Sequence, residues 1–177
     1  MSEMYVLQVM SGKELFLAEI FKYAGIRAYV PREIVTERRK GEWTEFESVL
    51  FSGYLFVDVA MSAAMYQRIA HVDGVIRFLS FTNPLPDSEA KAIRAASGKV
   101  ELTRARILPD KSIEIVSGFL KDFPHEITGY NRRNRRVTAK TALGGEKITI
   151  KCSAEFITSE VNASDGRLAP ALSTPST

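Results

Sequence analysis

The sequence predicts an α+β protein in two parts, an N-terminal mixed β-sheet flanked by helices and then a small all-β barrel. Three observations carry this reading. Strand-like apolar runs alternate with helical patterns as far as residue 97, the pattern changes to short β segments from Ile113, and turn residues punctuate those segments at Ser117-Gly118, Asn131 to Asn134 and Gly144-Gly145.

Tyr5-Val6-Leu7-Gln8-Val9 is a nearly continuous apolar run and reads as a buried central strand. A helix follows: Ser11 and Glu14 have capping-box spacing, Phe16, Leu17, Ile20, Phe21 and Ala24 mark one face, and Gly25 is placed to cap the end. Ala28-Tyr29-Val30 resumes β character, and Pro31 implies an edge strand or bulge before Ile34 to Arg38. Lys40-Gly41 reads as a turn, from which Trp43 to Val49 returns to complete a polar hairpin. Leu50 to Tyr54 leads into the apolar strand Leu55 to Val59. Ser62 can cap a second helix carrying Met65, Tyr66, Ile69 and Ala70, and Gly74 precedes a strand at Val75 to Leu79. The order β-α-β-β-β-α-β, two strand-helix-strand units around a hairpin, predicts one mixed sheet with helices against it.

Pro84 and Pro86 end this core, and a short helix from Asp87 or Ser88 runs through Ala96. The expected division is a first domain over 1–97, a basic linker over 98–110 and a barrel over 111–158. The barrel strands are expected at Ile113 to Ile115, Ile127-Thr128, Val137 to Leu143, Lys147 to Cys152 and Phe156-Ile157, a set that closes only a small barrel. Residues 159–177, rich in Ser, Thr, Ala and Pro, lack periodicity and are expected to be disordered.

The start of the chain has no basic n-region, and no apolar run approaches the roughly 18 residues of a membrane-spanning helix, so a cytoplasmic protein without membrane contact is expected. Cysteine occurs once, at Cys152, which excludes an internal disulfide, and with only His71 and His125 beside it no zinc cluster is expected. The same Cys152 and His125 lack an orienting third residue or an oxyanion loop, and no Walker-type glycine loop is present, so no enzyme, cofactor or metal is predicted. Net charge is +3, with 14 Lys+Arg against 14 Asp+Glu in residues 1–110 and 9 against 5 in 111–158. The basic excess therefore belongs to the barrel.

Met4-Tyr5-Val6-Leu7-Gln8, the helix ending at Gly25, Tyr29-Val30-Pro31, Leu50-Phe51-Ser52-Gly53-Tyr54-Leu55-Phe56-Val57 and Gly74 to Leu79 resemble, in order and spacing, the N-terminal (NGN) domain of the NusG family of transcription factors. Ile113 to Ile157, with Ser117-Gly118-Phe119, looks like that family's KOW domain. Ser11 to Glu14, the charged hairpin from Glu37 to Trp43 and Pro84-Leu85-Pro86 look most like the specialised LoaP-type antiterminators. The family's usual Phe-Pro-Gly-Tyr is here Phe51-Ser52-Gly53-Tyr54, and its Gly-Pro-Phe is Gly118-Phe119-Leu120. These departures leave Rho and the ribosome open as partners.

The resemblance implies an RNA polymerase-binding depression of Met4, Tyr5, Phe51 and Tyr54 for the clamp helices, and a second contact of Met65, Tyr66 and Gln67 towards the gate loop. Aromatic anchors suit such a task because they contribute large contact area for little rotamer entropy. Core packing competes as the reading for Tyr5 and Met65.

In the barrel, Tyr130, Arg132, Arg133, Arg135 and Arg136 set four guanidiniums and a stacking ring around one turn, and Lys121, Lys140, Lys147 and Lys151 extend the charge. Guanidiniums fork onto phosphate and stack on bases, so nascent RNA, as a hairpin, is the expected partner. A solvated turn is the competing reading. Strand alternation would send Arg136 and Thr138 to one side and Arg135 and Val137 to the other. Arg38-Arg39-Lys40 offers a similar contact to upstream DNA phosphates. Together these features predict a monomeric, processive antiterminator. The alternatives are a general elongation factor and a polymerase-independent RNA-binding module.

Overall fold

The computed structural model describes residues 1–157, so the tail expected from residue 159 lies outside the described residues. Strand β1 (Glu3–Val9) alternates its side chains between two cores: Tyr5, Leu7 and Val9 enter one, Met4 and Val6 the other. Across the four-stranded sheet the order is β2 (Arg27–Tyr29), β5 (Tyr54–Val59), β1 and β6 (Val75–Phe78). Every pairing is antiparallel. Helices α1 (Glu14–Tyr23) and α2 (Ala63–Ala70) each join strands that have a third strand between them, so the two strand-helix-strand units interleave. That interleaving corrects the expected mixed sheet: the strands of each unit run parallel, but neither pair is adjacent.

The first helix departs from its expected cap and face. Its N-cap is Lys13, without a side-chain bond, and Glu14 instead accepts the Gly12 N–H at 2.9 Å and the Gly53 N–H at 2.6 Å. Only Leu17 and Phe21 of the five apolar positions are buried, and Phe16 is 60% exposed. The C-terminus is as expected: Gly25 takes φ 77°, its N–H donates to Lys22 O, and the Ile26 N–H donates to Phe21 O. In α2 the Ser62 hydroxyl accepts the Met65 N–H at 3.1 Å, again as expected.

Strands β3 (Arg32–Arg39) and β4 (Glu42–Val49) leave the main sheet after Pro31 and form a two-stranded ribbon of their own. Lys40 and Gly41, at φ 51° and 87°, make the tight turn. Helix α3 (Asp87–Gly98) buries Ala90, Ala92, Ile93 and Ala96.

The barrel consists of two three-stranded sheets. One orders β11 (Glu146–Ser153), β10 (Arg136–Leu143) and β9 (Glu126–Asn131). The other orders β12 (Glu155–Ile157), β7 (Arg104–Ile107) and β8 (Ile113–Ser117). Strand β7 arises inside the stretch read as a linker. Ala105 is its one fully buried residue, while Arg104 and Arg106 point outward to Glu155 and Glu114, which is why the stretch reads as basic and unpatterned. Gly118, at φ 100°, sits so close to Thr103 that a Cβ there would lie 2.7 Å from the Thr103 Cα.

The barrel rests on the sheet face bearing Met4 and Val6. A single core joins these two residues with Leu50, Phe51, Phe56 and Ile93 to the barrel's Leu120, Phe123, Leu143, Ile150 and Cys152.

Candidate functional site

Two groups of residues meet at the seam between sheet and barrel. The first is aromatic. The chain enters β5 through Phe51-Ser52-Gly53-Tyr54, where Gly53 takes φ 87° and its N–H is held by Glu14, and this tight entry turns Phe51 towards the barrel. The Phe51 ring lies 5.5 Å from Phe56, 5.6 Å from Phe119 and 5.9 Å from Phe123, all edge-on, and Phe119 stacks on Phe123 at 4.7 Å. Phe51 and Met4 are each 1% exposed, and Tyr54 is half-buried against the same core. Tyr5 is on the opposite face of the sheet, 4% exposed, with its hydroxyl donating to Glu3 at 3.0 Å. Burial, then the Glu3 carboxylate, push its phenol above the usual range. Of the four residues expected in one depression, the structure therefore brings Met4, Phe51 and Tyr54 together and separates Tyr5.

The three α2 residues are divided too. Tyr66 stacks on Phe78 at 5.1 Å and meets Phe81 at 5.0 Å, Met65 packs against the helix-side core, and Gln67 is exposed.

The second group is cationic. Between β9 and β10 the Asn131 side-chain oxygen accepts the Asn134 N–H at 2.9 Å and Arg132 O accepts the Arg135 N–H at 3.2 Å, closing a turn that forces Arg135 to φ 52°. Arg132 and Arg133 extend into solvent. Arg135 is half-buried, its guanidinium 3.8 Å over the Trp43 ring of the hairpin. Arg136 points to Glu33, 4.0 Å away. Tyr130 is 37% exposed and tilts against Phe156.

Strand β10 alternates as expected after the turn, Val137 buried and Thr138 outward. The lysines do not extend this cluster continuously. Lys140 and Lys147 flank the Gly144-Gly145 end of the β10–β11 hairpin, Lys151 is opposite Thr138, and Lys121 is exposed on the 3-10 turn Phe119–Lys121.

Sequence reasoning missed the residues that hold the seam. The Glu33 carboxylate accepts the Ser153 N–H at 2.7 Å, and the Thr36 N–H donates to the Ser153 hydroxyl at 3.2 Å. Burial pushes the Glu33 carboxyl up to about 7, against the lowering effects of the Ser153 hydrogen bond and of Arg136. Arg77 pairs with Glu146 at 2.8 Å across the same seam. A signal for Glu33 did exist, because period-2 alternation puts it on the inward face with Val35. Cys152 is 1% exposed, and burial with the nearby Glu33 pushes its thiol far up, away from nucleophilic chemistry. Among the described residues no helix is long and apolar enough to cross a membrane.

The chain is thus a split β-α-β sheet joined to a small barrel, with a buried aromatic cluster at the seam, a cationic turn beside it and a shielded thiol. Residues 2–94 match the family described as transcription termination factor NusG, and the chain belongs to that family. It is 26% identical over 163 residues to the transcription termination/antitermination protein NusG of Pseudomonas aeruginosa, covering 83% of this chain and 92% of that one. The protein of the same description from Vibrio vulnificus is also 26% identical over 163 residues, covering 83% and 90%. A solved structure described as domain interaction in Thermotoga maritima NusG aligns with a TM-score of 0.46 and 21% identity, covering 85% of this chain and 93% of that one.

Proposed function

We propose that this chain is a specialised antiterminator of the NusG family, of the LoaP type, which binds RNA polymerase through its N-terminal sheet and nascent RNA through the barrel. One observation supports the reading: Met4, Phe51 and Tyr54 share one apolar cluster on the sheet, and it is covered by Phe119 and Phe123 of the barrel, which on this reading is a domain that can leave it. An aromatic face of this kind suits the tip of the clamp helices. Polymerase binding and barrel docking then exclude one another, and the arrangement described is the form with the polymerase face covered. The exposure of Gln67, beside the partly buried Met65 and Tyr66, supports it as the gate-loop contact of that group. A factor bridging clamp and gate favours the closed polymerase and so suppresses pausing. The four arginines and Tyr130 supply the RNA contact, and Lys121, Lys140, Lys147 and Lys151 a wider field.

The test measures binding of the full chain to core polymerase together with read-through of a terminator. Tyr54→Ala, at a half-buried position, should weaken binding roughly tenfold, as loss of one aromatic anchor does, and Phe51→Ala should do so more severely. Unchanged binding in both would leave a polymerase-independent RNA-binding module. Nascent-transcript sequencing without the gene then separates antitermination at a few operons from the diffuse changes of a general factor coupled to Rho or the ribosome.

A further inference from the structure

The arginine turn does not simply project into solvent. It lies against the β3–β4 hairpin, and between them is a cleft of about 460 Å³, within the size range of ligand sites. Arg38 and Trp43 line it from the hairpin, and Arg133, Asn134 and Arg136 from the barrel. Three guanidiniums from two different parts of the chain thus line one open cleft. Glu37 is the one carboxylate on its lining, and Arg39 already holds it with two hydrogen bonds at 3.0 and 3.1 Å. Arg38 spends one N–H on Gly41 O at 3.2 Å, and among the described residues neither its other donors nor those of Arg133 make a hydrogen bond or ion pair. The Trp43 ring, covered on one side by Arg135, is still 43% exposed.

We infer that this cleft is a composite RNA site, in which a phosphate of the RNA is held between Arg38 of the hairpin and Arg133 of the barrel, with Trp43 as a surface for the adjoining base. The inference rests on the RNA-binding reading above and extends it to the N-terminal half of the chain. The physical reason is charge. Docking the barrel gathers like charges at the rim of the cleft, which opposes docking. A phosphate bridging the two halves reverses the sign of that contribution. RNA that reaches across binds the docked arrangement more tightly than a free barrel and therefore stabilises it, so RNA in this cleft and polymerase on the Phe51 face are alternatives, and the polymerase-bound chain holds RNA through the barrel alone. Guanidinium forks and an indole face suit a single-stranded segment, whose bases are free to stack.

The experiment uses the full chain and a labelled mixed-sequence stem-loop RNA with a single-stranded extension. Binding is measured over a salt series, and Trp43, the one tryptophan of the sequence, reports docking by its emission. Arg38→Ala should weaken binding about three- to tenfold and flatten the salt slope by about 0.7, the share of one phosphate contact on a single strand. Arg133→Ala should match it, and Arg38→Lys, which keeps the charge, should restore most of the slope. Saturating RNA should quench Trp43, on which the adjoining base stacks, and raise the denaturant midpoint of undocking.

If Arg132→Ala and Arg136→Ala weaken binding while Arg38→Ala binds as the parent does, RNA occupies the barrel alone and the composite site is wrong, though the barrel reading stands. RNA that lowers the denaturant midpoint of undocking overturns it equally. Duplex DNA that displaces the RNA through Arg38 would assign the cleft to a DNA backbone and also overturn it. No loss in any of the four alanine variants removes the RNA-binding reading itself.

Discussion

Glu33 couples the seam to pH. Its carboxyl is buried, accepts the Ser153 N–H and titrates at about 7 against an ordinary 4.5. A carboxyl with a raised pKa takes up a proton on docking, between those two values, that it would not hold when exposed. Docking is therefore strongest at and below the ordinary value and is progressively lost as pH rises through about 7. Trp43 emission followed from about pH 8 down to about pH 5 should report increasing docking. Glu33→Gln keeps an oxygen for the Ser153 N–H and removes the titration, so its docking should be flat over that window. A glutamine variant that responds to pH as the parent does would locate the titrating group elsewhere.

At the scale of elements, the hairpin ends decide how the two halves fit. Gly144 takes φ 55° in the β10–β11 turn, and a Cβ there would lie 2.8 Å from the Leu79 Cβ just past β6. Gly144→Ala should leave both sheets intact but force this contact apart, weakening docking by about 1–3 kcal/mol as overpacking does. Leu79→Gly in the same chain, which removes the Cβ that the new methyl group would meet, should recover part of the loss. If Gly144→Ala leaves Trp43 emission and the denaturant midpoint unchanged, this turn is not a docking contact.

Elements of this kind differ in how far the sequence reveals them. Strands β10 and β11 were legible because Val137, Ala139, Thr141 and Leu143 are buried in strict alternation. Strand β7 was not, because one alanine faces inward and its parallel neighbour β12 comes from the far end of the barrel. The outer face of α1 misled for the opposite reason: Phe16 and Ile20 fit the helical period without a partner to cover Phe16. For the candidate site, composition alone marked the arginine turn. Its facing residues, Trp43 and Glu33, come from a hairpin more than ninety positions earlier, and contacts across such a separation leave no period to read.

For the whole molecule, the aromatic face under the barrel sets one equilibrium against another. If polymerase uses the Phe51 face, its apparent affinity is the intrinsic affinity reduced by the fraction of chains undocked. Phe119 is the place to shift that fraction, since it contacts Phe51 and Phe123 from a half-buried position on the barrel edge and is not on the sheet itself. Phe119→Ala should cost docking about 2 kcal/mol, less than the 3–5 kcal/mol of a fully buried ring, and should raise polymerase affinity by up to the corresponding factor of about thirty where the docked form dominates. Tyr54→Ala added to it should abolish the gain, because the anchor on the polymerase side would then be missing. Competition of this kind has a definite signature: Trp43 reports undocking while polymerase binding tightens. A Phe119→Ala chain that undocks by that criterion yet binds polymerase no better would mean that barrel and polymerase occupy different faces, and the candidate anchor would have to be sought on the exposed side of α1 instead.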